Sequence, residues 1–332
     1  MLHKILVIQT AFPGDVILAT ALLESIHHSN SEYKIDILVR KGNESLFSAH
    51  PFLNSIIVWD KSKNKFSNLF KLLFKIRKEK YNLVINLQRF AGSGLLTAFS
   101  GAKTTRGFDK NPFSILFSKK FKHIIGDGRH ETERNHDLIK DITGDLVLKP
   151  KLYPQKSDFE KIEHLKKHAY ICIAPGSVWF TKKFPESKWI GFVKAYSEEN
   201  PNDNILLIGS ATEKGLCDRI KSGAGSEKIQ NLAGEYSLLQ SAALIRDAKM
   251  NYVNDSAPLH LASAMNGKTI AIFCSTVPTF GFGPLSDDAR VVETKQDLAC
   301  RPCGLHGFNY CPLGHFKCAE TIEIKQIISA NG

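Results

Sequence analysis

The sequence predicts an α/β protein made of two Rossmann-like halves in tandem, and three observations carry that expectation. Short apolar runs with little alternation recur along the chain, as in strands covered on both faces. Stretches with helical periodicity separate them, the rhythm of a parallel sheet wound by helices. Small and polar residues follow several runs directly, where doubly wound sheets bind their ligands.

Taken in order, strands are expected at residues 5–10, 35–40, 56–59 and 83–87, with helices over 15–28 and 66–78. The second half repeats the pattern with strands at 170–174, 204–208, 228–232, 249–253 and 269–273. Its helices are expected over 186–199, 212–221 and 237–247, and again after Asp255. Residues 141–158 carry Gly144, Pro150 and Pro154 among polar neighbours, so the linker is placed there, between domains 1–150 and 151–332. Two such sheets imply two domains facing a central cleft.

The 332 residues suffice for two cores, and 43% hydrophobic content suits a globular protein. The start of the chain has neither the length nor the flanks of a signal peptide, and no apolar stretch nears the ~18 residues of a spanning helix. A cytoplasmic protein is expected. The net charge of +11 implies an acidic partner, whether nucleic acid, an anionic membrane surface or a phosphorylated substrate.

Four loops carry candidate chemistry. After the first strand, Pro13-Gly14-Asp15 opens a helix without the Gly-x-Gly-x-x-Gly of dinucleotide folds. Gly14 lets backbone approach a ligand, and Asp15 either accepts a proton from a hydroxyl or caps the helix. Pro175-Gly176-Ser177, with Lys182 and Lys183 beyond, offers backbone donors and positive charge for a leaving diphosphate. Glu213 follows Gly209-Ser210, where a carboxylate holds ribose hydroxyls or favours a helix dipole. Asn254-Asp255-Ser256-Ala257-Pro258-Leu259-His260 runs a strand end into a helix that Asp255 and Ser256 are placed to cap, and a helix start of this kind binds phosphates.

Cys300, Cys303, Cys311 and Cys318, with His306 and His315 among them, supply enough ligands for a structural zinc, with buried or oxidised thiols as the alternative. In helix 66–80, Phe66, Leu69, Phe70, Leu73 and Ile76 form the expected core stripe, leaving Leu72 and Phe74 among lysines. Residues 113–123 again mix Phe113, Phe117 and Phe121 with Lys119, Lys120 and Lys122. Aromatic anchors among lysines suit an anionic membrane surface; for any single residue a helix covering the sheet with a solvated basic edge is the plainer account.

In their order, these segments resemble glycosyltransferase family 9, the ADP-heptose:lipopolysaccharide heptosyltransferases. The match rests on Gly14-Asp15-Val16-Ile17-Leu18-Ala19-Thr20, Ala174-Pro175-Gly176-Ser177 with Lys182-Lys183-Phe184-Pro185, and Asn231-Leu232-Ala233-Gly234 with Ser237-Leu238. It continues through Asn254-Asp255-Ser256 with Pro258 and His260, then Cys300-Arg301-Pro302-Cys303 and Cys311-Pro312. The resemblance implies a GT-B architecture with an N-terminal acceptor domain, a C-terminal nucleotide-sugar domain and inversion at the anomeric carbon. It implies that Asp15 is the catalytic base, that Lys182 contacts the diphosphate, and that Ser177, Ser256 and His260 lie at the donor. It further implies that Glu213 holds the ribose and Asp255 lies near the sugar.

Ala257 stands where the family usually has Gly, a cost if that position needs positive φ or touches the ligand. No Asp-x-Asp triplet occurs, so no metal is expected in catalysis, and helix starts with lysine must stabilise the leaving group. The expected reaction moves heptose, or a similar sugar, from an ADP-sugar to the lipopolysaccharide inner core at the inner face of the cytoplasmic membrane. The alternatives are a nucleotide-sugar epimerase of similar shape and a basic, Cys-rich nucleic-acid-binding protein, which lacks recognition signatures here.

Overall fold

The computed structural model describes residues 3–62 and 65–330. Contacts divide the chain into two compact units, Met1–Tyr153 and Pro154–Gly332. The first holds β1 (Lys4–Ile8), α1 (Pro13–Ser29), β2 (Lys34–Arg40), β3 (Leu53–Trp59), α2 (Lys65–Lys78) and β4 (Leu83–Asn86). It continues with α3 (Ala91–Ala98), β5 (Thr104–Phe108), β6 (Lys119–Phe121), α4 (Glu131–His136) and α5 (Lys140–Thr143). The second holds α6 (Lys156–Ile162), β7 (Tyr170–Ala174), α7 (Glu186–Glu199), β8 (Asn204–Leu207), α8 (Lys214–Ala224) and β9 (Ile229–Asn231). Its remainder is α9 (Leu238–Asp247), β10 (Asn251–Asn254), α10 (Ala257–Met265), β11 (Thr269–Phe273), β12 (Ala289–Glu293), α11 (Lys317–Glu320) and α12 (Ile324–Ser329).

Each unit is a six-stranded, wholly parallel sheet, ordered β3-β2-β1-β4-β5-β6 in one and β12-β11-β10-β7-β8-β9 in the other. Renumbered from its own first strand, the second order is 3-2-1-4-5-6 as well, the order of dinucleotide-binding folds. This is the pair of Rossmann-like units expected of a GT-B protein. The order reverses between β1 and β4 in the first unit and between β7 and β10 in the second. Ligands bind outside the carboxyl ends of strands at those two points.

Tyr170 to Ala174 and Thr269 to Phe273 are buried at every position, as strands covered on both faces must be. Trp189, Phe192 and Tyr196 of α7 share one buried core with Tyr252 of β10, with Trp189 set edge-on to Phe184 at 5.3 Å. In the first unit Leu69, Leu72, Leu73 and Ile76 form the buried stripe of α2 at helical spacing, against Leu6, Ile8 and Trp59. Phe70 and Phe74 are exposed instead, which corrects the expected facing of both Phe70 and Leu72. The side chain of Phe66 lies outside the described residues.

Candidate active site

In the first unit, β1 feeds α1 through Gln9-Thr10-Ala11-Phe12, a loop braced from several sides. Gln9 Oε1 accepts from Ala11 N at 3.3 Å and from the Gln88 side chain beyond β4, while Asn43 Nδ2 donates to Ala11 O at 2.9 Å. Lys61 Nζ donates to Thr10 O and Oγ1 at 3.2 and 3.1 Å. Phe12 begins α1 with no side-chain cap, Pro13 takes its first turn, and Asp15 sits in that turn, half-buried. Gly14 is buried beside it and is not among the described residues with positive φ, so it serves by lacking a side chain. Around this loop stand cations that sequence reasoning passed over. Arg40, at the end of β2, lies 5.1 Å from the Phe12 ring, and Lys61, just after β3, lies 4.4 Å from the Trp59 ring. Arg89 follows β4. Their common signal was position: each stands at or just past an apolar run.

The second unit gathers most of the other candidates at the β7/β10 switch. Lys182 Nζ lies 2.7 Å from Asp255 Oδ2, with the two side chains 14% and 6% exposed. The Thr276 hydroxyl donates to the same oxygen at 2.6 Å. Asn254, fully buried at the end of β10, donates from Nδ2 to Pro175 O at 2.7 Å and accepts at Oδ1 from Phe184 N at 3.1 Å. One amide thereby ties the Pro175-Gly176-Ser177 loop to the turn that carries Lys182. Ser177 is buried in that loop, and His260 is buried on the first turns of α10.

Neither Asp255 nor Ser256 caps α10 as expected. Asp255 is taken by Lys182 and Thr276, and Ser256, the N-cap residue, makes no side-chain cap bond, its hydroxyl donating back to Asn254 O at 3.3 Å. The start of α10 also lacks an acidic residue in its first turn. Such a start favours an anion. Ala257, the departure from the family glycine, is the first residue of the helix and has no positive φ, so its methyl carries no backbone strain.

Glu213 closes a capping box with Ser210, accepting from its N at 2.7 Å and its hydroxyl at 2.9 Å. Its carboxylate lies directly against Gly176, and a Cβ on Gly209 would approach Glu213 Oε2 to 2.8 Å. The two glycines make room for this acid, an explanation the sequence reading had not found for Gly176.

Of the cysteine cluster, Cys300 Sγ is 4.0 Å from His315 Nε2, Cys303 Sγ donates to Cys300 O at 3.4 Å, and Cys311 Sγ accepts from Phe316 N at 3.4 Å. Burial pushes the Cys303 thiol up, and burial with the neighbouring thiols pushes Cys318 up to about 12. All four are free thiols. Among the described residues no group of three or more His, Cys, Asp or Glu side chains is arranged to hold a metal ion.

The sequence profile of glycosyltransferase family 9 (heptosyltransferase) matches residues 69–305. The chain belongs to this family. As a family 9 member it is a glycosyltransferase. It is 26% identical to lipooligosaccharide heptosyltransferase 2 of Campylobacter jejuni, over 98% of this chain and 96% of that one. The crystal structure of the Escherichia coli ADP-heptose lipopolysaccharide heptosyltransferase II superposes with a TM-score of 0.81 at 22% identity, covering 98% and 97% of the two chains. The UDP-GlcNAc 2-epimerase of Methanocaldococcus jannaschii fits less well, with a TM-score of 0.53 at 12% identity over 87% and 88%. Family membership and the weaker epimerase likeness favour sugar transfer over epimerisation.

Proposed function

We propose that this family 9 glycosyltransferase moves a heptose from an ADP-heptose donor to the inner core of lipopolysaccharide, with inversion and without a catalytic metal. The observation that carries the reading is the buried Lys182–Asp255 pair beside the uncapped start of α10. Lys182 has three N–H donors, of which Asp255 engages one, so the rest are available to a diphosphate. The helix start adds backbone N–H groups and the positive end of its dipole. Such a site stabilises a leaving diphosphate with fixed donors and a lysine in place of a bound cation. Ser177, Ser256 and His260 line the donor, Gly176 keeps its loop close, and Glu213 holds the ribose.

Asp15 then acts as the base. It takes the proton of the acceptor hydroxyl as that oxygen attacks the anomeric carbon, the bond to the diphosphate breaks, and ADP departs. Attack from the face opposite the leaving group inverts the centre. Arg40, Lys61 and Arg89 supply positive charge for an acceptor bearing phosphate or carboxylate. Exposed Phe70 and Phe74 among Lys71, Lys75 and Lys78 on α2, with Ile115 and Leu116 at 83% and 54% exposure, support approach to an anionic membrane surface. Among the described residues no helix is long and apolar enough to cross a membrane.

Incubation with ADP-heptose and a purified inner-core acceptor, read by mass spectrometry, should show acceptor gaining one heptose. Asp15→Ala should lose transfer at least a hundredfold while holding ADP within a few fold. Donor isomerised in the absence of acceptor would refute the reading in favour of epimerisation.

A further inference from the structure

The segment from Cys300 to Phe308 stands out in the sequence for its cysteines, yet its contacts lead to the Lys182–Asp255 pair by two routes. In the first, Thr181, 1% exposed, donates from its N to Phe308 O at 3.1 Å and accepts at Oγ1 from Phe308 N at 2.8 Å. The Ser275 hydroxyl also donates to Thr181 Oγ1 at 3.0 Å. Thr181 is the residue before Lys182, so these bonds fix the turn from which the lysine extends. Gly307 lies close above that turn. Its φ is +76°, and a Cβ there would stand 2.8 Å from Thr181 Oγ1 and 3.1 Å from Lys182 Cγ.

In the second route, the Arg301 guanidinium grips the carboxyl end of β11. It donates to Cys274 O and Thr276 O at 2.8 Å each and to Phe273 O at 3.3 Å, and it pairs with Glu293 at 2.6 Å. Cys303 N adds a bond to Ser275 O at 2.8 Å. Thr276, held this way by its backbone, sends its hydroxyl to Asp255 Oδ2, the oxygen that Lys182 engages. A planar guanidinium reading three carbonyls defines position better than any single bond of a flexible lysine.

We propose that residues 300–308 are part of the donor site's scaffold, and that Thr181 and Thr276 are positioning residues that set the Lys182–Asp255 pair for the diphosphate. The inference rests on the donor reading given above. The pair needs such support. A lysine side chain loses rotamer freedom when held in one geometry, and Thr276 holds the carboxylate that holds it. The C-terminal motif thus has a role in this fold that requires no bound metal.

The test is ADP affinity by calorimetry on the full chain. Thr276→Val should weaken ADP about tenfold, the loss expected when one hydrogen bond to a charged group is removed. Thr276→Ser, which keeps the hydroxyl, should return to within about twofold. In a Lys182→Met background, Thr276→Val should cause no further loss, because the threonine acts through the pair. Gly307→Ala, whose methyl presses on Lys182, should weaken ADP in the native background and lose that effect in Lys182→Met. Full ADP affinity in Thr276→Val and Gly307→Ala, or the same losses in both backgrounds, would overturn the positioning role alone. Unchanged ADP affinity in Lys182→Met would instead overturn the donor reading, and this inference with it.

Discussion

Gly176→Ala offers a demanding check on the donor loop, because the space a methyl would need is filled by one identifiable group. All three atoms nearest the added Cβ belong to Glu213, and their approach is far inside van der Waals contact. The backbone does not object, since Gly176 is not among the residues with positive φ. Relief therefore comes from the glutamate swinging away, which opens its capping box with Ser210 and forfeits bonds of 2.7 and 2.9 Å. Losing such a cap costs about 1 kcal/mol, and displacing the loop from its bond to Asn254 raises the total to roughly 2 kcal/mol. With Glu213→Ala already in place, those three nearest atoms are gone, and Gly176→Ala should fall within about 0.5 kcal/mol of neutral. The coupling in the double-mutant cycle, read from chemical denaturation, should then be about 1.5 kcal/mol. ADP affinity should follow the same pattern, lower in Gly176→Ala than in the double variant relative to their own references. Simple additivity of the two substitutions would refute the packing argument.

Three further outcomes follow from other parts of the molecule. Lys182→Met should weaken ADP by 10- to 100-fold, on the order of 1.4–3 kcal/mol, because it removes a buried cation and leaves Asp255 without it; titration calorimetry measures the loss directly. His50, packed against Phe52 and Tyr153 at 4.5 and 4.8 Å, is lowered to about 4 by burial and then by the charge of His27. The unfolded chain binds its proton near 6.5, so this stabilisation is whole above pH 6.5 and is lost as the pH falls to about 4, by roughly 2 kcal/mol after allowing for solvent screening. His50→Phe should flatten that stretch of the stability–pH curve, with an unchanged slope counting against the assignment. Replacing Phe70 and Phe74 together by Ser should cut binding to anionic vesicles by roughly tenfold or more, about 1 kcal/mol for each partly inserted ring; equal binding in a vesicle-flotation assay would remove α2 from the membrane reading.

How far the sequence exposes this fold depends on how far each element's stability is local. β7, α7 and β11 were legible to the residue, because an unbroken apolar run or a Pro185-led helix start needs no distant partner to be seen. The helix expected from Ser237 is α9, whose N-cap Ser237 forms a capping box with Gln240. β5 and β6 were not legible. Thr104-Thr105-Arg106-Gly107-Phe108 has one large apolar residue, and Arg106 is buried only because the Leu138 carbonyl and Asp141 receive its guanidinium. A Cβ on Gly107 would strike Phe117, so the glycine there reflects close packing and not a turn. β6 is three residues, two of them lysines, which suits a protected sheet edge and carries little pattern. The candidate site divides similarly. Asp15, Ser177 and Asp255 were visible as polar residues beyond strand ends, whereas the Lys182–Asp255 bond spans 73 positions and the carbonyls gripped by Arg301 have no side-chain signature at all.

The repetition of one strand order in both units sharpens the difference between their two switch points. At the first, α1 carries Asp15 in its opening turn, and that carboxylate already occupies the positive end of the dipole. A phosphate brought there would meet a like charge, so this helix start is unsuited to a nucleotide diphosphate. At the second, α10 has no acid in its first turn, Pro258 removes one N–H, and Asp255 is drawn aside by Lys182 and Thr276. The Leu259 N–H is taken by Ser256 O at 3.0 Å, so what this start offers an anion is the positive end of the dipole and the N–H groups ahead of Pro258. The same scaffold therefore gives opposite local fields according to where one aspartate falls. Moving the acid tests this: Ala257→Asp, which places a carboxylate in the first turn of α10 as Asp15 lies in the first turn of α1, should lower ADP affinity at least tenfold while adding a few tenths of a kcal/mol to helix stability. An ADP affinity that survives this reversal would mean that the start of α10 is not where the phosphates bind.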